Sequence, residues 1–151
     1  MQVERSDVGL RMSDFGWYTG LMDVTKLRIY QDALDFLPQV YTLAKQLPKS
    51  EFELRSQLCN SAKAISAQIA EGFAKKSSQI EFKRFLLMAL GSSDETITHL
   101  RQIKILKFEG IDFELCSFLG EKYQAESKQI NSLVQKIKNN AVSSINLISD
   151  V

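Results

Sequence analysis

Four cations, Lys75, Lys76, Lys83 and Arg84, fall around the short turn Phe73-Ala-Lys-Lys-Ser77, where one helical pattern ends and the next begins. Ammonium and guanidinium groups at a helix start sit beside a positive dipole end and unpaired N–H groups, an arrangement that suits phosphate. Arg101 and Lys104, with Lys107 beyond them, form a second basic stretch toward the other end of the same helix. Lys75, Lys76, Lys83, Arg84, Arg101 and Lys104 are therefore the candidate nucleic-acid contacts. Between residues 63 and 109 eight basic residues face five acidic ones, a modest excess, so an ordinary solvated turn is the competing reading. Glu71 is the most pointed carboxylate. It occupies the last turn of a helix, where the dipole disfavours negative charge by about 0.3–1 kcal/mol. That placement implies a cationic partner: Lys75, Arg84 or a basic side chain of a neighbouring subunit.

Other chemistry is poorly supplied. His99 is the only histidine, lacks metal-ligand spacing to any Cys or Asp, and has no Ser or Cys tied to it as a nucleophile. It reads as a surface or interface residue. Cys59 and Cys116 lie in helical patterns without a CxxC pair and read as reduced, small apolar side chains. Gly72 and Gly91 are isolated, so no phosphate-binding glycine loop exists, and the carboxylates occur singly on helix exteriors. We expect no catalytic residue, no metal, no cofactor and no enzyme.

The elements that position these residues are helices. Over residues 26–47, Tyr30, Ala33, Leu34, Leu37, Tyr41, Ala44 and Leu47 recur at three- and four-residue steps. Pro38 inside that pattern predicts a kink, and Pro48 ends it. Helix two opens at Ser50 with Glu53 at capping-box spacing, carries Leu54, Leu58, Ala62, Ile65 and Ile69, and is stopped by Gly72 as a left-handed residue. Beside that stripe run Ser61, Ala64, Ala67 and Ala70, small enough for close approach on a second face. Helix three opens at Ser78 with Glu81, buries Phe82, Phe85, Leu86, Ala89, Ser93, Ile97, Leu100 and Ile103, and ends near Gly110. Gly91 in mid-helix costs about 0.5–1 kcal/mol relative to Ala, which predicts a packing notch. Helix four starts near Asp112 with Leu115, Leu119, Tyr123, Ile130, Leu133, Val134 and Ile137, and its pattern weakens beyond Asn139-Asn140.

The result is an all-α, up-down-up-down antiparallel four-helix bundle. It spans residues 26–140, after an arm over residues 1–25 that is poorly ordered or partly a start-site artefact, and before a fraying tail over residues 141–151. At 151 residues one domain is expected. The formal charge of +1 argues against a strongly electrostatic nucleic-acid clamp. No apolar run reaches the ~18 residues a membrane span needs, and no secretory signal order opens the chain. A cytoplasmic location follows as an expectation.

The signature is densest at Glu51, Leu54 and Gln57, at Ser66-Ala-Gln-Ile-Ala-Glu-Gly72, and at Glu81-Phe82, Phe85 and Ala89-Leu-Gly-Ser92. From about residue 27 to residue 137 the chain resembles the four-helix-bundle family first described from proteins encoded in intervening sequences of bacterial large-subunit ribosomal RNA genes. It departs at Gln68, where the family usually has Asn, and at Ser93-Asp94-Glu95. The resemblance implies a homo-oligomer, typically a ring of five bundles; the small second face of helix two, the Gly91 notch and the unmatched charge of Glu71 make Ala64, Ala67, Glu71 and Gly91 the candidate interface residues. The family also looks like the accessory subunit of diversity-generating retroelements, a pentameric partner of a reverse transcriptase, although that relative is strongly basic. The expected function is a non-catalytic, homo-oligomeric accessory or scaffold protein contacting RNA through the basic turn; the expected partners are other copies of itself and RNA or a nucleic-acid enzyme. The alternatives are a protein-binding adaptor or structural oligomer with no nucleic-acid role, and an enzyme whose site is built between subunits.

Overall fold

The computed structural model describes residues 23–149, with side chains as far as residue 137. The arm expected at the N-terminus lies outside the described residues as far as residue 22. The described chain is all α: α1 (Arg28–Asp35), α2 (Leu37–Lys45), α3 (Phe52–Ala74), α4 (Gln79–Leu106) and α5 (Phe113–Ser149). α1 and α2 are two halves of one bundle helix. That helix packs on α3 and α5, and α4 packs on the same two from the opposite corner. The four-helix, up-down-up-down architecture expected from the periodicity is what the chain forms.

Pro38 causes the break between α1 and α2. With no N–H it cannot reach the Leu34 carbonyl. The chain answers at Phe36, a single turn residue between the two helices. The Phe36 N–H still donates to the Asp32 carbonyl (3.2 Å) and the Val40 N–H to Phe36 (3.1 Å), so the path resumes at once. Pro38 thereby falls in the first turn of α2, where no N–H is required. The buried face differs from the expected one. Ile29, Ala33, Val40, Leu43, Ala44 and Leu47 face the core, while Leu34 and Tyr41 are exposed.

α3 corrects two expectations. Ser50 makes no capping box with Glu53; it lies in a 3-10 turn, Lys49–Glu51, closed by the Glu51 N–H on the Pro48 carbonyl (2.9 Å). The α2–α3 junction is instead held by Arg55, whose Nε and Nη2 donate to the carbonyls of Ala44 (3.1 Å) and Leu47 (2.7 Å) at the end of α2. Gly72 does not stop the helix, which continues to Ala74. A Cβ on Gly72 would lie 2.8 Å from the Phe85 Cβ and 3.3 Å from the Phe82 carbonyl oxygen. Glycine is required there for close approach of α4, not for a left-handed conformation. The expected stripe Leu54, Leu58, Ala62, Ile65 and Ile69 is buried throughout.

α4 is capped as its sequence predicts, the Glu81 N–H donating to the Ser78 hydroxyl (3.3 Å). Its whole stripe from Phe82 to Ile103 is buried. It ends at Lys107, in the left-handed region at φ 52°, and Gly110 at φ 81° turns the chain back. Asp112 then caps α5 through its Oδ1, which accepts from the Leu115 N–H (3.0 Å), while the Asp112 N–H donates to Gln46 Oε1 (2.8 Å). Gly91 is no notch among the described residues, because a Cβ there would meet none of them within 4 Å. α5 stays helical past Asn139-Asn140, to Ser149.

Hydroxyls pin α4 to its neighbours at mid-height. Thr96 Oγ1 bonds the Ser61 hydroxyl and the Ser92 carbonyl (both 2.9 Å), and the Ser92 hydroxyl donates to Gln68 Oε1 (2.8 Å). On the other side the Ser93 hydroxyl donates to the Tyr123 carbonyl (3.2 Å), and Ser127 lies 2.8 Å from both Ser93 Oγ and Asp94 Oδ1. Polar groups this deep bond only in one register, so they fix how far the helices slide.

Candidate functional site

The α3–α4 turn holds its cations on aromatic rings. Lys75 Nζ lies 4.5 Å and the Arg84 guanidinium carbon 4.6 Å from the centre of the Phe85 ring, and Lys76 Nζ lies 4.3 Å from the Phe73 ring. Phe73 and Phe85 are buried, so these supports are part of the core. A cation over a ring face gains about 0.5–1 kcal/mol at an exposed site. Arg84 also donates to Glu81 Oε2 at 2.9 Å. That hydrogen bond holds the Glu81 carboxyl below its ordinary range and neutralises one cation of the cluster. Lys83 is half-buried on the same turn of α4. Ile80 stands at the tip, 80% exposed.

Arg101 and Lys104 lie about 25 Å farther along α4 at 1.5 Å per residue. The six candidate cations therefore form two groups. Arg101 and Lys104 line a shallow groove between α4 and α5 with Gln124, and Asp94, Glu121 and Lys128 stand along it. Gly120 leaves the α5 wall of this groove open. The mixed charge there contrasts with the turn.

Glu71 makes no ion pair among the described residues; Arg84, one partner expected for it, is taken by Glu81. Glu71 is exposed, in one stripe with exposed Ala67 and half-buried Ala64. Gly91 is exposed on α4, next in sequence to the Ser92 that bonds Gln68. On α4, Leu87 and Met88 are exposed apolar side chains between Ile80 and Gly91. His99 is buried rather than superficial, its Nδ1 2.9 Å from Gln102 Oε1 and its Nε2 3.3 Å from Glu95 Oε1. Burial pushes the Cys59 and Cys116 thiols up, which keeps them protonated and poorly nucleophilic. Among the described residues no group of three His, Cys, Asp or Glu side chains is placed to hold a metal, and no helix is long and apolar enough to cross a membrane.

One feature escaped the sequence reading. Glu126 is 1% exposed, and among the described residues neither carboxyl oxygen has a hydrogen-bond partner; the buried Tyr123 hydroxyl one turn earlier has none there either. Burial, reinforced by Asp32 and opposed by Arg28, pushes the Glu126 carboxyl up to about 8. The signal was present. Glu126 stands at helical spacing between Tyr123 and Ile130, on the stripe that α5 buries.

Such an arrangement defines a small helical-bundle protein with one aromatic-supported basic turn and closely packed α3 and α4. The chain belongs to the 23S rRNA-intervening sequence protein family, which it matches over residues 25–138. Comparison with curated proteins gave no match.

Proposed function

We propose that the protein is a non-catalytic scaffold that self-associates, as a ring of five bundles, and holds RNA phosphates at the α3–α4 turn. The observation that carries this reading is the stacking of Lys75 and Arg84 on Phe85 and of Lys76 on Phe73. Long cationic side chains lose up to about 2 kcal/mol of rotamer freedom when ordered. Buried rings that hold them in place beforehand reduce that cost on meeting a phosphate. Rotational symmetry would repeat the turn around the assembly axis. The working partner would be RNA or an enzyme acting on it, in the cytoplasm.

Binding of single-stranded RNA across a salt series tests the reading. Affinity should fall steeply with salt, and Lys75→Gln with Lys76→Gln should lower the log–log slope by about 1.4, at roughly 0.7 per phosphate contact. Native protein that retains no RNA at low salt would refute it. A second reading, a protein-binding adaptor without nucleic acid, is favoured by exposed Ile80, Leu87 and Met88 on α4. Native mass spectrometry checks the five-fold assembly, and loss of that mass in Leu87→Lys would assign this row to contacts between copies.

A further inference from the structure

Glu126 lies where a carboxyl group is least comfortable. It is on α5 and fully buried, and among the described residues both its oxygens are unpartnered. A buried carboxylate without donors is strongly disfavoured, whereas its protonated form is tolerated. Asp32 and Arg28 of α1 both act on it electrostatically, which places that helix beside the carboxyl. α1 is two turns long, is separated from α2 at Phe36, and packs on α5 as well as α3. Phe36 at that break meets the Tyr123 ring edge-on, with centroids 5.6 Å apart.

We propose that α1 is a proton-operated latch: it lies closed over α5 while the Glu126 carboxyl keeps its proton, and loss of that proton releases it. The groups around Glu126 favour this direction. From α1, Asp32 opposes a negative charge there and Arg28, 3.7 Å from Asp32, partly offsets it. From α5, the Tyr123 hydroxyl is buried and unpartnered, and burial, followed by Glu126 and the Cys59 thiol of α3, pushes its acidity further out of reach. Among the described residues none of these elements donates a hydrogen bond to the carboxyl. Ionisation in place would therefore set a carboxylate against Asp32 in an apolar surround. Swinging α1 away about the Phe36 break brings water to Glu126 and uncovers the apolar face that Ile29 and Ala33 now close.

The window follows from the two states. Closed, the carboxyl holds its proton to about pH 8; solvated, it loses it near the ordinary 4.5. Opening is therefore suppressed in acid, grows through that interval, and levels off above it.

Residue-resolved hydrogen exchange between pH 5 and pH 8, corrected for intrinsic rates, tests the latch. The protection of α1 amides should fall roughly tenfold per pH unit, while α4 amides stay better protected than α1 at every pH. In Glu126→Gln, which cannot ionise, α1 protection should be flat. Flat α1 protection in the native chain, or an undiminished fall in Glu126→Gln, would overturn the proposal. Asp32→Asn keeps the carboxyl and removes its opposing charge, so the fall should end at a lower pH than in the native chain. An end-point that does not move would overturn the latch.

Discussion

The α3–α4 face and the α1–α5 corner bury polar groups in opposite ways. Between α3 and α4 the hydroxyls of Ser61, Ser92 and Thr96 find partners, and at Gly72 the backbones approach until no Cβ fits. At the α1–α5 corner a carboxyl and a phenol are buried with no partner among the described residues, beneath a helix interrupted by Phe36. Both faces exclude water, yet only the first gains from every polar group it covers. Burial alone is a poor guide to where this bundle is strong.

The largest expected effect lies at the weaker corner. From about pH 4.5 to about pH 8 the folded chain holds a proton on Glu126 that the unfolded chain has released. Stability is thus greatest below that interval and falls as pH rises through it, by on the order of 4 kcal/mol from this group. Denaturant unfolding at pH 5, 6.5 and 8 should show the decline in the native chain and a much shallower one in Glu126→Gln. Parallel declines would erase the contrast between the two faces. Next comes Gly72→Ala, expected to destabilise by about 1–3 kcal/mol because the Phe85 Cβ and Phe82 carbonyl cannot yield cheaply. A stabilised Gly72→Ala would show the α3–α4 face to be looser than drawn. The smallest effect is Gly91→Ala. With none of the described residues within 4 Å of the new methyl, the fold should gain about 0.5–1 kcal/mol. If native mass spectrometry shows the assembly lost in that variant, Gly91 serves contact between copies.

Periodicity made most of this fold legible. The stripes of α3, α4 and α5 were readable because a single bundle face demands apolar residues at three- and four-residue steps. The caps were less legible. Ser50 and Ser78 carry the same local signal, but Pro48 and Arg55 draw Ser50 into a 3-10 turn, a contact between helices that no local pattern records. Gly72 was misread for a related reason: glycine at a helix end and glycine at a helix crossing look alike until the opposing Phe85 is in place. At the basic turn the charges are legible, whereas Phe85 reads only as core and Phe73 only as part of the turn. Glu126 was passed over although its register is plain, because exposure was assumed from its charge.

The Asp112–Gln46 hydrogen bond ties the α2–α3 and α4–α5 connections together at one end of the bundle. By alternation of direction, the start of α1, the α3–α4 turn and the far part of α5 point to the other end. Affinity tags, fluorophores or fusion partners attached before α1 or after α5 would therefore crowd the cations whose binding is to be measured. The connection around Gly110, exposed and at the opposite end from the α3–α4 turn, is the better place to label or tether this protein when that turn is probed.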